Sequence, residues 1–506
     1  MKASQKILFV TAPYHCWGVQ VVGAWPPTHL AYLAGAAREA GVEPKIFDAM
    51  NRSESFPEIR AEIERFKPDY VLTSDYLPVT GSISTAAMPD SITILKLAKE
   101  VDPGIVTIMG GPHPTMMPKE TLESEKGIVD YILIGEGEET LKVLLSTLQK
   151  GAAKDIAKDI QAIAGIAYLE NDKTIVNPKR KQIADLELDD LMPAWDLLEW
   201  ELYNYWVHPG GRMTSIMTSR GCEMGCSFCS QRLFWRGSWR GRKPEKVIEE
   251  IVFLHEKYHI TVFTLIDSFP TKDRQRWERL LDLLIEKNLG VSLLMETGVG
   301  DIVRDKDILD KYKKAGIIHL YLGAESGDEE VLSTLKKGAD ADTAKEAIDL
   351  LKKVGIMTEA SFMLGHPGET WESVKRTIAT AISMNPDVAI FPILTPWPYT
   401  PMYRDVKDRV RVFDYAKYNL ITPIIEPFEM TLEEVDEALS KCYMEFYTHK
   451  MQEVIALEDG FQKEYMMSAM RLMMKEQCAA FKRKGMKMPS FTGTAKMIAA
   501  AAKMNF

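Results

Sequence analysis

The sequence predicts an α/β protein made of two successive βα series and closed by a helical carboxy-terminal region. Three observations predict it. Residues 1–145 alternate short apolar runs with amphipathic segments, the pattern of a doubly wound, Rossmann-like parallel sheet. A second alternation fills residues 206–400 and suits a partial or full (β/α) barrel. At 506 residues the chain is also too long for one ordinary core, so two or three domains are expected.

In the first series KILFVTAP, EPKIFDAM, PDYVLTSD, GIVTIMGG and VDYILIGEG each read as a short buried strand. THLAYLAGAAREAG, PEIRAEIERFK and SITILKLAKEVD read as the helices between them. Ligands of such sheets bind at the carboxyl ends of the strands. Glycine-rich turns fall there: Gly110, Gly111, Pro112 and His113 after one strand, Gly135, Glu136, Gly137 and Glu138 after the next. Residues 146–205 read as a linker with a small hairpin in GIAYLENDKTIVNP. In the second series MTSIMTSRG leads into a cysteine loop and the helix EKVIEEIVFLHEKY. The strands TVFTLID, VSLLMETG, HLYLGAE and TEASFMLG then alternate with RQRWERLLDLLIEKN, DILDKYKKAG and DTAKEAIDLLKKVG. Residues 401–506 read as mostly helical, with a Met-rich helix through Cys478 and a basic tail from Lys482. The 27 methionines read as fillers of irregular cores.

Composition excludes several classes. Hydrophobic content of 46% with 26% charged residues is that of a globular protein. No apolar run reaches the length of a membrane span, and MKASQKILFVTAP reads as a first strand and not as a signal peptide. A cytoplasmic protein without membrane association is expected. A net charge of −10 and a pI near 5.6 argue against nucleic acid as a partner. Six cysteines are too sparse for a disulfide framework, and Cys16, Cys442 and Cys478 read as ordinary buried thiols.

Cys222, Cys226 and Cys229 differ, standing together in SRGCEMGCSFCSQ. Three thiolates at Cys-x3-Cys-x2-Cys spacing can each hold one iron of a 4Fe–4S cube and leave the fourth open, whereas ferredoxin-type clusters take four. A zinc knuckle is the alternative. Gly225 lets the backbone wrap a cube closely. The motif resembles that of the radical SAM superfamily, in which the open iron chelates the amino and carboxylate groups of S-adenosylmethionine. That resemblance implies a place near the adenine for Phe228, or a packing role, and a place near the methionyl amine for Asp267 and Ser268. It implies that Glu325 and Ser326, in LGAESGDEEVL, meet the ribose or carboxylate. Gly365, Gly368 and Glu369, in SFMLGHPGET, would form the turn that supports the adenine side.

GGPHPT followed by IGEGEET resembles the cobalamin-binding domain found in front of many radical SAM domains. The glycines of both turns would let backbone approach a flat corrin. The sequence holds no Asp-x-His-x2-Gly motif, which supplies an axial histidine elsewhere, and His113 reads either as a cobalt neighbour or as a core or capping histidine.

The resemblance covers residues 1 to about 450, including WPPTHLAYLAG, CSQRLFWR, TPWPYTP and LITPII. It points to the cobalamin-binding branch that contains the anaerobic magnesium-protoporphyrin IX monomethyl ester cyclase and the methanogen glutamine C-methyltransferase of methyl-coenzyme M reductase. It implies a cobalamin-binding domain over 1–145, a linker over 146–205, a radical SAM domain over 206–400 and a helical domain over 401–506. The implied cofactors are a 4Fe–4S cluster, S-adenosyl-L-methionine and cobalamin. The implied reaction is anaerobic C-methylation of an unactivated sp3 carbon, with a protein or peptide substrate and an electron donor such as ferredoxin or flavodoxin. The leading substrate is the glutamine of methyl-coenzyme M reductase, a post-translational modification. The alternatives are the oxidative cyclase and a non-catalytic cobalamin or redox-sensing module. No catalytic acid or base is assigned.

One departure bears on substrate. Glu296-Thr297-Gly298-Val299 stands where the cyclases carry an Asn-Thr-Arg-Val-like strand end. The glycine removes a cation that could meet a carboxylate, on the cosubstrate or on a porphyrin propionate, or it eases a turn. Arg232, Arg236, Arg240 and Arg242, around Trp235 and Trp239, pull the other way, or form a solvated face or a docking surface for an acidic protein.

Overall fold

The computed structural model describes residues 4–14, 22–76, 85–150, 153–187, 192–208, 210–336, 338 and 340–483. Its first sheet holds β1 (Lys6–Thr11), β2 (Glu43–Phe47), β3 (Tyr70–Ser74), β4 (Val106–Gly110) and β5 (Tyr131–Leu133), parallel and in the order β2-β1-β3-β4-β5. Ile7, Leu8, Phe9 and Val10 are all fully buried, because helices cover both faces and both alternating sets of side chains must be apolar. The order reverses between β1 and β3, which opens a crevice at the carboxyl edge.

The expected hairpin forms as β6 (Ile166–Glu170) and β7 (Lys173–Val176), with Asn171 and Asp172 both at positive φ in its turn. It adds antiparallel to β5, so the first sheet runs on into the stretch expected as linker.

The second sheet holds β8 (Asn204–Tyr205), β9 (Gly211–Ile216), β12 (Val262–Leu265), β13 (Ser292–Thr297), β14 (Ile317–Glu325), β15 (Met357–Phe362) and β16 (Val388–Ile390). All pair in parallel except β8, and the sheet is open, so the barrel is partial. Phe263, Leu293, Met295, Leu320, Leu322, Ala360 and Phe362 are buried on the outer face. Helices such as Arg274–Lys287 and Ala341–Lys353 follow the strands and carry apolar stripes into this core. The inner face carries Thr264, Glu296, His319, Tyr321, Glu359 and Ser361, and Trp25 of the first unit reaches it through Nε1 to Thr264 Oγ1 at 3.2 Å. Two short strands, β10 (Ser219–Gly221) and β11 (Trp239–Gly241), pair apart from both sheets.

Past Pro401 the chain is less helical than expected until the helices Leu432–Ala456 and Phe461–Arg483. Residues 394–430 instead form an irregular strap. Cys442 is buried as expected, while Cys16 and the tail beyond 483 lie outside the described residues. Among the described residues no helix is long and apolar enough to cross a membrane.

Candidate functional site

The three cysteines lie in the loop that β10 and β11 close. Arg220 pairs with Arg240 and Gly221 with Trp239, so this clip holds both ends of the loop at the carboxyl end of β9. All three thiols are half-buried. The Gln231 N–H donates to Cys229 Sγ at 3.4 Å. Ser227 N donates to Leu335 O at 3.1 Å, and Met402 N donates to Ser227 O at 3.1 Å, so barrel and strap both hold the loop. Phe228 packs among Leu335, Met363, Trp397 and Met402. Among the described residues no three His, Cys, Asp or Glu side chains converge as ligands of a single ion would. Three thiols on one braced loop, with no fourth cysteine in it, suit a cluster that keeps one iron open.

The strand-end residues gather around this loop with different tasks. Asp267 is 1% exposed; its carboxylate accepts Thr218 N and Oγ1, both at 2.9 Å, and Ser219 Oγ at 2.5 Å. Burial raises its pKa, and these bonds oppose the rise. Asp267 thus braces the bend into β10, a role spacing alone did not show. Ser268 Oγ donates to Gln231 Oε1 at 3.2 Å, tying β12 to the cysteine loop. Glu325 sits at φ +64° at a bulge in β14, 4% exposed, and accepts Ser361 Oγ at 3.0 Å. Ser326 is buried beside it and accepts Asp328 N. Glu369 accepts Gly365 N at 2.9 Å and Ser373 Oγ, so it closes the turn that contains Gly368.

Gly298 has an ordinary extended backbone, so it is not there to ease a turn. A Cβ at 298 would meet Phe269 Cε2 at 3.2 Å. Gly298 and Phe269 line a cavity of about 630 Å³ with Met224 of the cysteine loop, Leu332 and Lys336.

At the edge of the first sheet Gly110 ends β4, Gly111 turns at φ +109°, and Pro112 and His113 open a short helix. A Cβ on Gly111 would collide with Asp75 Oδ1. Asp75 Oδ2 accepts His113 N at 3.0 Å, while Oδ1 is buried without a hydrogen-bond partner among the described residues. Burial pushes the Asp75 pKa up to about 8 and that of His113 down to about 4. His113 Nδ1 lies 3.1 Å from Thr85 Oγ1, with its ring against Tyr415 and Tyr399 of the strap. This places His113 in a packed core. An orphaned buried oxygen beside a glycine-lined edge fits a ligand rich in amides, as cobalamin is.

Glu136 and Glu138, expected against a corrin, reach toward the cysteine loop instead. Arg220 Nη1 lies 2.8 Å from Glu136 Oε1 and Nη2 lies 2.7 Å from Glu138 Oε1. Arg240 Nη1 lies 3.0 Å from Glu136 Oε2. Arg242 pairs with Glu250 at 2.5 Å. Burial works against the Arg220 charge, but Glu138 and Glu136 outweigh it and hold the guanidinium charged. Arg240 and Arg242 therefore form no solvated face; Arg232 and Arg236 remain exposed. Sequence reasoning missed Asp75, Thr218, Ser219 and Gln231 entirely; only the placement of Gln231 two residues past Cys229 hinted at it.

The Radical SAM superfamily profile matches residues 216–381, and the B12 binding domain profile matches residues 14–145. The anaerobic magnesium-protoporphyrin IX monomethyl ester cyclase of Rubrivivax gelatinosus is 36% identical, over 95% of this chain and 83% of that protein. An uncharacterized methyltransferase of Pyrococcus horikoshii is 33% identical, over 87% of this chain and 92% of its own. The radical S-adenosylmethionine methyltransferase TsrM of Kitasatospora setae, solved with cobalamin and a 4Fe–4S cluster bound, shares the fold. It matches with a TM-score of 0.67 at 16% identity, over 94% of this chain and all of that one.

Proposed function

Because this chain belongs to the radical SAM superfamily and carries its B12-binding domain, we propose that it is a C-methyltransferase acting on an unactivated sp3 carbon. Its cofactors are a 4Fe–4S cluster, S-adenosylmethionine and cobalamin. When bound, these groups supply reductive radical generation and a transferable methyl group, chemistry no side chain offers. The chain's own share is placement. Cys222, Cys226 and Cys229 would hold the cluster. Glu325, Ser326 and the Gly365–Glu369 turn would hold S-adenosylmethionine, with Phe228 and Ser268 beside them. The edge formed by Gly110, Gly111 and Gly135 would carry the corrin. An external ferredoxin or flavodoxin would deliver electrons.

One observation carries the substrate reading. On the inner face of the barrel Glu296, Tyr321 and Glu359 are neighbours across β13, β14 and β15, by their strand register. Glu296 is exposed although it lies on a central strand, so it borders open space. Its charge acts on Tyr76 at the end of β3, whose pKa rises to about 12 through burial first and Glu296 second. Among the described residues the inward positions of β9 and β12–β16 hold no Lys or Arg. Among the described residues such a face offers the Glu296 carboxylate to an amide or a cation, while a propionate would find there only hydroxyls and His319, which is itself 3.0 Å from Glu359. This favours a protein side chain carrying an amide, with the glutamine of methyl-coenzyme M reductase as leading candidate.

The second reading is the oxidative cyclase, favoured by the 36% identity to the Rubrivivax protein. Reduced, cluster- and cobalamin-loaded protein incubated anaerobically with S-adenosylmethionine and either a glutamine peptide or the porphyrin ester tests both. A peptide heavier by one methylene is the expected product. An unaltered peptide beside an oxidised, ring-closed porphyrin would overturn the reading in favour of the cyclase.

A further inference from the structure

The turn after β5 grips the loop that carries the cysteines through buried charge. Glu136 and Glu138 leave that turn, and Arg220 lies two residues before Cys222. Arg220 is 4% exposed and Glu138 is 7% exposed, so water screens this contact little. Glu136 also takes Arg240, the register partner of Arg220 on β11, so one carboxylate holds both strands of the clip. Its Oε2 accepts Ile183 N at 3.0 Å, which adds the segment after β7. The Tyr32 ring, on the helix that follows β1, lies 5.4 Å from the Arg220 guanidinium. Two parts of the first unit thus meet at one guanidinium beside the first cysteine, and a third joins them through Glu136.

We propose that Arg220, Glu136 and Glu138 form a clasp that sets the separation and orientation of the corrin relative to the cluster. The three are positioning residues, because the charges act on the loop and not on a reacting atom. The clasp rests on the cofactor assignment above but not on the identity of the substrate. A guanidinium held bidentately across two carboxylates fixes direction as well as distance, which a single ammonium cannot do. Buried charges that lose their partner are costly, so the turn and the clip move together or not at all.

The test uses full-length protein reconstituted anaerobically with cluster and hydroxocobalamin, then reduced so that both centres are paramagnetic. Magnetic coupling between the two spins reports their separation without substrate. In Arg220→Met the coupling is expected to broaden or weaken while iron content and corrin absorbance stay at wild-type values. Methylation per S-adenosylmethionine cleaved is expected to fall, by up to about a hundredfold for a displacement near 1 Å. Arg220→Lys should recover part of the coupling, and Glu138→Gln should give an intermediate value even if Arg220→Met fails to fold. Unchanged coupling in Arg220→Met and Glu138→Gln would overturn the clasp. So would loss of cluster or corrin in every variant, which would make these residues supports of the fold and no more. Either failure leaves the methyltransferase reading standing, since that is judged on product mass alone.

Discussion

Gly221 runs directly beneath the Ser238 carbonyl, at φ +101°, where a Cβ would overlap that oxygen. The contact is backbone to backbone across the β10–β11 clip, so no side chain can swing away to make room. Gly221→Ala is therefore expected to open the clip, at a cost above the 1–2 kcal/mol or so of the left-handed backbone alone. Iron and sulfide retained after anaerobic reconstitution should fall sharply while far-ultraviolet circular dichroism stays near wild type. Full cluster content would show that the loop tolerates a wider clip.

Asp75 predicts a pH dependence. Its folded pKa of about 8 lies above its ordinary 3.8, with burial as the main cause. Between those values the folded chain keeps a proton that the unfolded chain has lost, so the stability contributed falls as pH rises through the window. The slope is about 1.4 kcal/mol per pH unit at most. Asp75→Asn removes the titrating group at nearly equal shape. Melting of the apoprotein at pH 5 and pH 8 should show the variant gaining on wild type at the higher pH. A constant difference would mean that Asp75 is already ionised when folded.

His113 moves in the opposite sense. Its folded pKa of about 4 lies below 6.5, again through burial. The unfolded chain binds more protons between those values, so stability is lost as pH falls from about 6.5 toward 4. His113→Phe should flatten that acid limb, at a cost of about 1–3 kcal/mol for the unpaired Thr85 hydroxyl. Because His113 is packed against Tyr415 and Tyr399, the cob(II)alamin electron paramagnetic resonance spectrum should be the same in both proteins. A nitrogen splitting lost in the variant would instead make His113 a cobalt ligand.

Much of this arrangement was legible because it is local in sequence. Cys222, Cys226 and Cys229 share eight residues, and ILFV in β1 announces a strand buried on both faces. What escaped depends on contacts between distant segments. Arg220 and Glu138 lie 82 positions apart, and nothing near either one names its partner. Arg240 looks like part of a surface cluster until Glu136 of the first unit buries it, while Arg242 is buried against Glu250 eight positions on. β10, β11 and β16 are three residues each, too short for a period-2 pattern to register. The hairpin β6–β7 was readable, but its pairing with β5 is a tertiary choice that strand propensity does not encode.

Glu325 separates strain from fold. A side-chain-bearing residue at φ +64° costs about 1–2 kcal/mol, which a glycine at that position would avoid. The carboxylate is buried at the carboxyl end of β14 and accepts Ser361 Oγ. A residue kept there against its backbone preference is best explained by what the carboxylate holds. Glu325→Gln preserves size and the bond from Ser361, so the melting temperature should stay close to wild type. It weakens any hydrogen bond given to the charged oxygen, a loss of about 1.4 kcal/mol, or tenfold in affinity. Anaerobic calorimetry with S-adenosylmethionine on cluster-loaded protein should show that drop with the cluster spectrum intact. Unaltered affinity alongside a lower melting temperature would assign Glu325 to the architecture of the β14 bulge instead.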